Sequence, residues 1–409
     1  MSRVFMFLGI FGYKILAQVK LISVLLRSSQ KNKFKARVVL NMSSLETKFR
    51  TFFPFIKFCI TARVIAPIGG NWKISIFFAF ITIQSVIFTI FAILNFTEKM
   101  SDENVTIMEK ALDVLIIQGF FQTLLKNFGG TPFRKNFEAL VDWLEELHVG
   151  KDENRSVQEI FDDELTKALK YCKIFTWACL ALCSLSTITF LIKFVLNDTI
   201  VILIPYLEPS INMIFYQILQ FICFLILTGW IITSDLSIVF IEFYVISFMK
   251  SINRMITSLS DLSQDKKKYS HNLLQILEKH VVMLRILRTF NEAVKLISLV
   301  QLFMSILLLL SIFLSIQANN EEIGMYITFA SITLTLAMLC VFGQMIQTQT
   351  MDIFDNLYQT NWYDFTLYDQ TILLLMMTNS CKAIGLKAAG MYDVNLTSFV
   401  EVNNYKTLL

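Results

Sequence analysis

The residue types that most often carry chemistry are scarce in this sequence and do not form a known catalytic pattern. There are three histidines, His148, His271 and His280, and no HExxH, GxSxG or P-loop motif. A membrane zinc hydrolase needs histidines and carboxylates close together inside apolar segments. The three histidines instead lie between the apolar segments. The sequence therefore predicts a protein that is not an enzyme and that needs no cofactor or metal.

The cysteines give a second possible chemistry. Cys172, Cys179 and Cys183 follow one another at helical spacing, and three thiolates on one face are able to bind a soft metal. The alternative, which we favour, is that they are small apolar packing residues. The chain has 7 cysteines, an odd number, and most lie in apolar stretches, so we expect no structural disulfide.

Composition places the chain in a membrane. Of its 409 residues, 55% are hydrophobic and 17% are charged, whereas about 25% of the residues in a soluble domain are charged. These values exclude a cytosolic enzyme, a secreted disulfide scaffold and a nucleic-acid-binding protein. They predict an all-α, multi-pass membrane protein whose surroundings are the lipid bilayer.

Six membrane-spanning helices follow from charge-free segments and loop charges. Five segments approach or exceed the roughly 20 residues that a span needs: Ile74–Thr97, Ile174–Ile192, Pro209–Ser234, Leu296–Asn320 and Ile323–Met351. A sixth helix near residues 107–127 separates the loops into one side with 27 Lys and Arg residues and another with 3. Basic loops stay in the cytoplasm, so the N-terminus is predicted to be cytoplasmic. We expect Val4–Leu26 to form an interfacial helix.

Three of these helices are predicted to continue below the membrane. Apolar residues at helical spacing run from Ile211 to Leu259, about 70 Å of helix, whereas the hydrocarbon layer is about 30 Å thick. A similar pattern begins near His271 and runs into the fifth span, and the sixth span continues to Tyr358. The apolar faces of these extensions must pack against one another or against other subunits. Asp235, where the fourth charge-free segment ends, is expected to pair with a basic residue.

Aromatic residues in the outer halves of the helices are candidates for a ligand pocket. Such pockets are mostly apolar with few polar groups, and the alternative is contact with lipid or with other helices. The candidates for binding a small volatile ligand are Phe190, Phe194, Met213, Phe215, Tyr216, Tyr326 and Phe329.

The C-terminal third resembles the insect odorant receptor family. The stretch NEAVKLISLVQLFMS after His280, the Cys340-Val-Phe-Gly343 signature and the element DNLYQTNWYDF match the patterns of that family. The segment TILLLMMTNSCKAIGLKAAGMYDVNLTSFVEV resembles its final segment, as do the terminal leucines. The resemblance covers residues 50–409, and the order and spacing of the motifs make it specific.

The resemblance implies seven helices, a cytoplasmic N-terminus, an extracellular C-terminus and an odorant-tuned subunit of a ligand-gated, non-selective cation channel. Such subunits form tetramers with a shared co-receptor in the plasma membrane of olfactory neurons. The implied division is a cytoplasmic N-terminal region (1–72), a ligand-binding six-helix region (73–351), a cytoplasmic anchor (352–387) and a pore helix (388–409). The implied pore-lining residues are Asn404, Tyr405, Leu408 and Leu409.

The last helix departs from the family pattern, and other classes of receptor remain as alternatives. FVEVNNYKTLL is about one helical turn shorter than in family members, which shortens the pore helix by about 5–6 Å. The alternatives are a gustatory-type receptor of the same superfamily, a G-protein-coupled receptor and a transporter. The usual C-terminal motif of gustatory-type receptors is not found in this sequence, and a G-protein-coupled receptor has the opposite orientation in the membrane. A transporter is expected to show internal repeats and broken helices.

Overall fold

The computed structural model describes residues 44–61, 72–101, 105, 107–149, 155–196, 213–259, 266–318, 323–390 and 392–397. The chain divides into two compact units, Met1–Phe58 and Cys59–Leu409. Most of helix α1, Ser44–Thr61, belongs to the first unit, and there Arg50 Nη2 pairs with Glu46 Oε1 at 2.9 Å, one turn away. The predicted interfacial helix at Val4–Leu26 lies outside the described residues.

The second unit is built almost entirely of helices, which confirms the predicted all-α class. The helices are α2 (Trp72–Met100), α3 (Ile107–Gly130), α4 (Arg134–Val149), α5 (Arg155–Leu196), α6 (Met213–Leu259), α7 (Lys266–Ala318), α8 (Ile323–Tyr358) and α9 (Leu367–Ser380). Two short 3₁₀ turns, Thr131–Phe133 and Trp362–Asp364, connect α3 to α4 and precede α9. Among the residues that the structure describes, the strands are a single antiparallel pair of two residues each, β1 (Lys387–Ala388) and β2 (Tyr392–Asp393).

Four of the described helical segments are long and apolar enough to cross a membrane. They lie within α2, α6, α7 and α8, at Ala79–Met100, Gln217–Leu259, Tyr269–Gln317 and Tyr326–Tyr358. The two other predicted spans, near 107–127 and at Ile174–Ile192, also lie on helices, α3 and α5.

The predicted continuation of three long helices beyond their charge-free segments is confirmed. The expected helix from Ile211 to Leu259 is observed as Met213–Leu259, and α8 ends at Tyr358 as expected. Apolar residues at helical spacing continue along the C-terminal half of α6, and the structure buries them. Phe248 is 3% exposed and contacts aromatic rings of α4 and α5, with centroid distances of 5.7 Å to Trp143 and 5.5 Å to Phe161.

Helix α4 was not predicted from the sequence, although its pattern is clear. Phe137, Leu140, Val141 and Leu144 recur at the spacing of one helical face, and all four are fully buried. The helix packs against α7. The search for spans depended on long charge-free segments, and a short amphipathic helix rich in Glu and Asp does not produce one.

Helix α9 is fixed to α7 at both of its ends. Thr366 caps its N-terminus by accepting a hydrogen bond from the backbone N–H of Asp369 at 3.2 Å. Ser270 of α7 donates to Asp369 Oδ1 at 2.8 Å, and His280 Nε2 lies 2.8 Å from Ser380 Oγ at the other end.

The start of the predicted seventh helix needs correction. The expected pore helix begins at residue 388, but Lys387–Ala388 and Tyr392–Asp393 pair as the strands of the β1–β2 hairpin, and the next described helical residue is Leu396. The turn explains the difference, since Ala389 and Gly390 have positive φ angles of 55° and 76°. Two successive left-handed residues cannot continue an α-helix and are typical of tight hairpin turns.

Candidate ligand cavity

A cavity of about 320 Å³ lies inside the helical bundle, surrounded by α3, α5, α6, α7 and α8. This size is at the lower end of the range found for small-molecule sites. The wall is mostly apolar, with side chains such as Ile116, Phe175, Leu308 and Leu339. Such a wall suits a ligand whose surface is mainly hydrocarbon.

One face of α6 supplies the longest part of the wall. Leu227, Ile231, Ile238 and Val239 recur there at the spacing that places residues on one side of a helix. The lining residues on this helix extend from Phe224 to Glu242, which corresponds to about 27 Å along its axis. The cavity is therefore elongated along α6.

Small and hydroxyl-bearing residues create the empty space. Gly119 of α3 lines the cavity, and a β-carbon placed on it would meet no atom within 4 Å. Across the cavity, α8 contributes Ser331 and Thr335, whose hydroxyls donate to carbonyls of their own helix at Ile327 and Ile332, both at 2.8 Å. Because these hydroxyls are satisfied within α8, they present a weakly polar surface to the cavity.

A buried aromatic cluster supports the wall behind α3 and α6. Phe120 of α3 stacks on Phe88 of α2 at 6.0 Å and contacts Phe224 of α6 at 6.1 Å. Ile116 and Leu227 belong to the same cluster and also line the cavity. The cluster therefore holds two walls of the cavity at a fixed separation.

An ion pair lies beside the cavity and joins α3 to α6. Lys126 Nζ lies 2.7 Å from Asp235 Oδ1, and the Lys126 side chain is 1% exposed. Asp235 also lines the cavity. The sequence predicted a basic partner for Asp235 and this is confirmed, but it did not identify Lys126, which is 109 residues away.

A second polar link lies between α3 and α7. Gln122 Nε2 donates to Gln301 Oε1 at 3.2 Å, and Gln301 Nε2 donates to Ser305 Oγ at 3.3 Å. Gln122 and Gln301 also line the cavity. Together with the ion pair, these bonds fix α3 against two neighbouring helices, since such buried groups are costly to separate from their partners.

Of the residues that the sequence singled out for ligand binding, the two whose side chains the structure describes, Tyr326 and Phe329, are not among those that line this cavity. Tyr326 is 47% exposed and Phe329 is partly buried, and both lie on α8 next to lining residues such as Thr328. The side chains of Phe190, Phe194, Met213, Phe215 and Tyr216 lie outside the described part of the chain, so their role in binding stays a prediction. The four pore candidates, Asn404, Tyr405, Leu408 and Leu409, also lie outside it.

The β1–β2 hairpin is docked onto α7 and α8, two of the helices that line the cavity. The Ala389 N–H donates to the Lys295 carbonyl of α7 at 2.8 Å, and Asn291 donates to the Gly385 carbonyl at 3.1 Å. On α8, Thr350 donates to the Ile384 carbonyl at 2.9 Å. The chain that leads into the C-terminal segment is thus held by backbone contacts to α7 and α8.

Comparison with known proteins identifies the family of the chain. A family model described as 7tm Odorant receptor matches residues 107–405, most of the chain. The chain belongs to the 7tm odorant receptor family. This confirms the resemblance found in the sequence, and it makes the protein a multi-pass membrane receptor of a family that is not a family of enzymes. The comparison with curated proteins finds no match.

Two solved structures have the same fold as the receptor. One is the insect olfactory receptor OR5 from Machilis hrabei in complex with eugenol, with a TM-score of 0.72 at 13% identity over 89% of this chain and 96% of that chain. The other is a second structure of the insect olfactory receptor OR5 from Machilis hrabei, with a TM-score of 0.68 at 13% identity over 97% of both chains. The likeness extends over nearly the full length of each protein, so the helical arrangement is shared.

Proposed function

We propose that the receptor is the odorant-binding tuning subunit of a ligand-gated, non-selective cation channel that assembles with the shared odorant co-receptor. The plasma membrane of olfactory neurons is its proposed location. The observation that carries this proposal is the apolar cavity within the bundle of an odorant receptor family member. A volatile odorant is small and mostly apolar, and the cavity offers it an apolar wall of matching size.

The test is whole-cell current during exposure to a panel of volatile compounds, in cells with the receptor alone, the co-receptor alone, or both. We expect a ligand-evoked cation current that needs both proteins and whose ligand preference differs from that of the co-receptor alone. Surface-labelled receptor that gives no additional response to any member of a broad panel would contradict the proposal.

The proposed binding site is tested by filling the cavity. Leucine at position 119 would extend into the space that Gly119 leaves open, and we expect the variant Gly119→Leu to lower ligand potency at least about tenfold. Gly229→Leu is the matched control, because it also meets no atom within 4 Å but does not line the cavity. Equal potency in both variants would place the ligand elsewhere, and Tyr326→Ala would then test the outer pocket predicted from the sequence.

The proposed topology has seven spans, a cytoplasmic N-terminus and an extracellular C-terminus, with the pore lined by Asn404, Tyr405, Leu408 and Leu409. The asymmetry of 27 against 3 basic loop residues supports the orientation of the first six spans. Accessibility of a tag at each terminus in intact cells tests it, and an exposed N-terminal tag would contradict it. Asn404→Asp is expected to change relative cation permeability if position 404 lines the pore.

The outward face of α9 supports the proposed assembly with other subunits. Leu367, Tyr368, Leu374 and Leu375 share this face and are 83%, 63%, 64% and 53% exposed. An apolar face of this kind, outside the proposed spans, is typical of a protein–protein contact. We expect Leu374→Glu to reduce co-purification with the co-receptor, while Leu274→Glu, a less exposed leucine on α7, leaves it unchanged.

A further inference from the structure

Helices α6 and α8 run side by side in the same direction along the cavity. Phe243 of α6 contacts Phe342 of α8 with ring centroids 4.8 Å apart. Further along both helices, the Asn253 side chain of α6 donates to the Gln349 carbonyl of α8 at 3.2 Å. Because later residues of one helix meet later residues of the other, these contacts set which residues of the two helices lie at the same level.

Asp235 of α6 and Thr335 of α8, which both line the cavity, lie at one such level. Asp235 precedes Phe243 by eight residues and Thr335 precedes Phe342 by seven. Each is therefore about 10–12 Å from the aromatic contact along its own helix. The Asp235 carboxylate and the Thr335 hydroxyl are thus placed to meet the same group of a bound ligand.

Both side chains offer hydrogen-bond acceptors to the cavity. The Thr335 hydroxyl donates its hydrogen to the Ile332 carbonyl at 2.8 Å, so it presents an oxygen lone pair to a ligand. Asp235 contacts Lys126 through Oδ1 at 2.7 Å, but its side chain is 27% exposed, so the carboxylate is able to accept a further bond. Lys126 is 1% exposed and is not among the described residues that line the cavity. Its ammonium therefore neutralises the carboxylate without offering a donor to the ligand.

The wall on one side of this level is mostly apolar. From Asp235 toward the N-terminus of α6 it includes Leu227 and Phe224, over a length of about 16 Å. The open space beside Gly119 of α3 lies along this stretch, since the adjacent Phe120 contacts Phe224 at 6.1 Å. An alkyl chain is able to occupy the stretch while a polar head group stays beside Asp235.

We propose that Asp235 and Thr335 make the receptor selective for elongated odorants that carry a hydroxyl group. The ligand hydroxyl donates its hydrogen mainly to the Asp235 carboxylate, and the Thr335 oxygen shares that hydrogen in a three-centre bond. The alkyl chain lies along the α6 wall toward Phe224. Glu242, the other carboxyl group of the wall, already has an interaction within the protein and takes no part. This inference rests on the proposed odorant-binding function and names the chemical class of the ligand.

The test compares octanol with methyl heptyl ether, two probes that have the same number of carbon and oxygen atoms. Octanol is able to donate a hydrogen bond, whereas the ether only accepts one. Binding to the purified full-length receptor is measured from the dependence of its thermal unfolding midpoint on probe concentration. We expect the Kd of octanol to be about tenfold lower than that of the ether. This order is measured without any substitution, so it tests the proposal even if a variant fails to fold.

Substitutions at the two acceptors should affect octanol alone. Thr335→Val removes the hydroxyl oxygen at nearly constant volume, and we expect the Kd of octanol to rise about threefold. Thr333→Val is the matched control, because Thr333 lies on the same helix but is not among the residues that line the cavity. The double variant Lys126→Met with Asp235→Asn removes the charged acceptor without stranding its partner, so the Kd of octanol should rise about tenfold. The Kd of the ether should stay the same in all of these forms.

The outcomes separate this inference from the proposed function. Equal Kd values for octanol and the ether in the wild type, or tighter binding of the ether, would show that the cavity does not select a donor. A rise of both Kd values by the same factor in Thr335→Val would likewise overturn the inference. Volatiles that evoke current in that case would leave the channel function intact. Conversely, hydroxyl-selective binding by a receptor that gives no ligand-evoked current with the co-receptor would uphold the roles of Asp235 and Thr335 and contradict the channel proposal.

Discussion

The backbone carbonyl of Val394 lies against the α-carbon of Gly343, in the space that a side chain at position 343 would occupy. Gly343 is the last residue of the Cys340-Val-Phe-Gly signature in α8, and Val394 follows the β1–β2 hairpin. The glycine is therefore needed for close approach of two backbones, a contact that any β-carbon would prevent. This explains in physical terms why that signature ends in glycine.

Alanine at position 343 should displace the hairpin. Overpacking of this kind costs about 1–3 kcal/mol, so we expect Gly343→Ala to lower the thermal unfolding midpoint of the purified receptor. Gly229→Ala is the control, because its β-carbon would lie in open space and alanine favours helix over glycine. A midpoint for Gly343→Ala at or above that of Gly229→Ala would show that the two backbones are not in contact.

The Lys126–Asp235 ion pair should be strongly coupled. Asp235→Asn leaves the nearly fully buried Lys126 ammonium beside a neutral amide, and breaking a buried pair from one side costs about 3–5 kcal/mol. We expect this variant to lose most of its surface expression. In the double variant Lys126→Met with Asp235→Asn no charge is stranded, so expression should largely recover.

The control for the ion pair is Lys167→Met on α5. Lys167 pairs with Asp163 at 2.9 Å, but its side chain is 48% exposed, and exposed pairs contribute little to stability. We expect its expression to match that of the wild type. If the losses of surface expression caused by Lys126→Met and by Asp235→Asn add up in the double variant, the two side chains act independently.

The stability of the receptor should fall in mild acid because of His148. Burial lowers the pKa of His148 from 6.5 to about 4, and its ring packs edge-on against Tyr244 at 5.4 Å. Between pH 6.5 and pH 4 the unfolded chain binds a proton at His148 and the folded protein does not. The contribution of His148 to the free energy of unfolding is therefore fully present above pH 6.5 and is lost as the pH falls toward 4. The loss at pH 5 is about 2 kcal/mol.

Thermal unfolding of the purified receptor between pH 7.5 and about 4.5 tests this expectation. His148→Phe removes the titrating group and preserves an aromatic contact with Tyr244, so its unfolding midpoint should depend less on pH. His271→Gln, at an exposed position, should keep the dependence of the wild type. Identical pH slopes for the wild type and His148→Phe would assign the acid sensitivity to other groups.

The carboxylate of Asp369 should be important for attachment of α9. It accepts hydrogen bonds from both Thr366 and Ser270 at 2.8 Å and is 3% exposed. Asp369→Ala removes both bonds, and the loss should be about 1–3 kcal/mol. Limited proteolysis near residues 359–366 should become faster, whereas Asp364→Ala, at an exposed position, should have no effect. Unchanged proteolysis of Asp369→Ala would show that α9 is held by its apolar contacts alone.

Long apolar helices could be predicted from the sequence, whereas the hairpin could not. The end of α8 at Tyr358 and the end of α6 at Leu259 follow from continuous apolar periodicity. The strands at Lys387–Ala388 and Tyr392–Asp393 are too short to produce any alternating pattern. Their local signal is the Ala-Ala-Gly turn, in which Ala389 adopts a left-handed conformation that alanine rarely takes and donates its N–H to the Lys295 carbonyl of α7.

The cavity could not be located from the sequence for a different reason. Aromatic residues in the outer halves of the helices were the strongest local signal for a pocket, but a cavity is a space that packing leaves unfilled. Here that space depends on the missing side chain of Gly119 and on small residues of α8, which meet only after folding.

The two ion pairs of α3 have a consequence for the order in which the receptor is made. Asp113 pairs with Lys99, which the ribosome has already added 14 residues earlier, but Lys126 pairs with Asp235, which follows 109 residues later. At ordinary rates of translation this delay is on the order of ten seconds. During that interval α3 has no Asp235 to neutralise the charge of Lys126 near its C-terminal end. The final position of α3 is therefore fixed only when α6 emerges from the ribosome. Membrane insertion of α3 is thus completed by a helix that is synthesised after it.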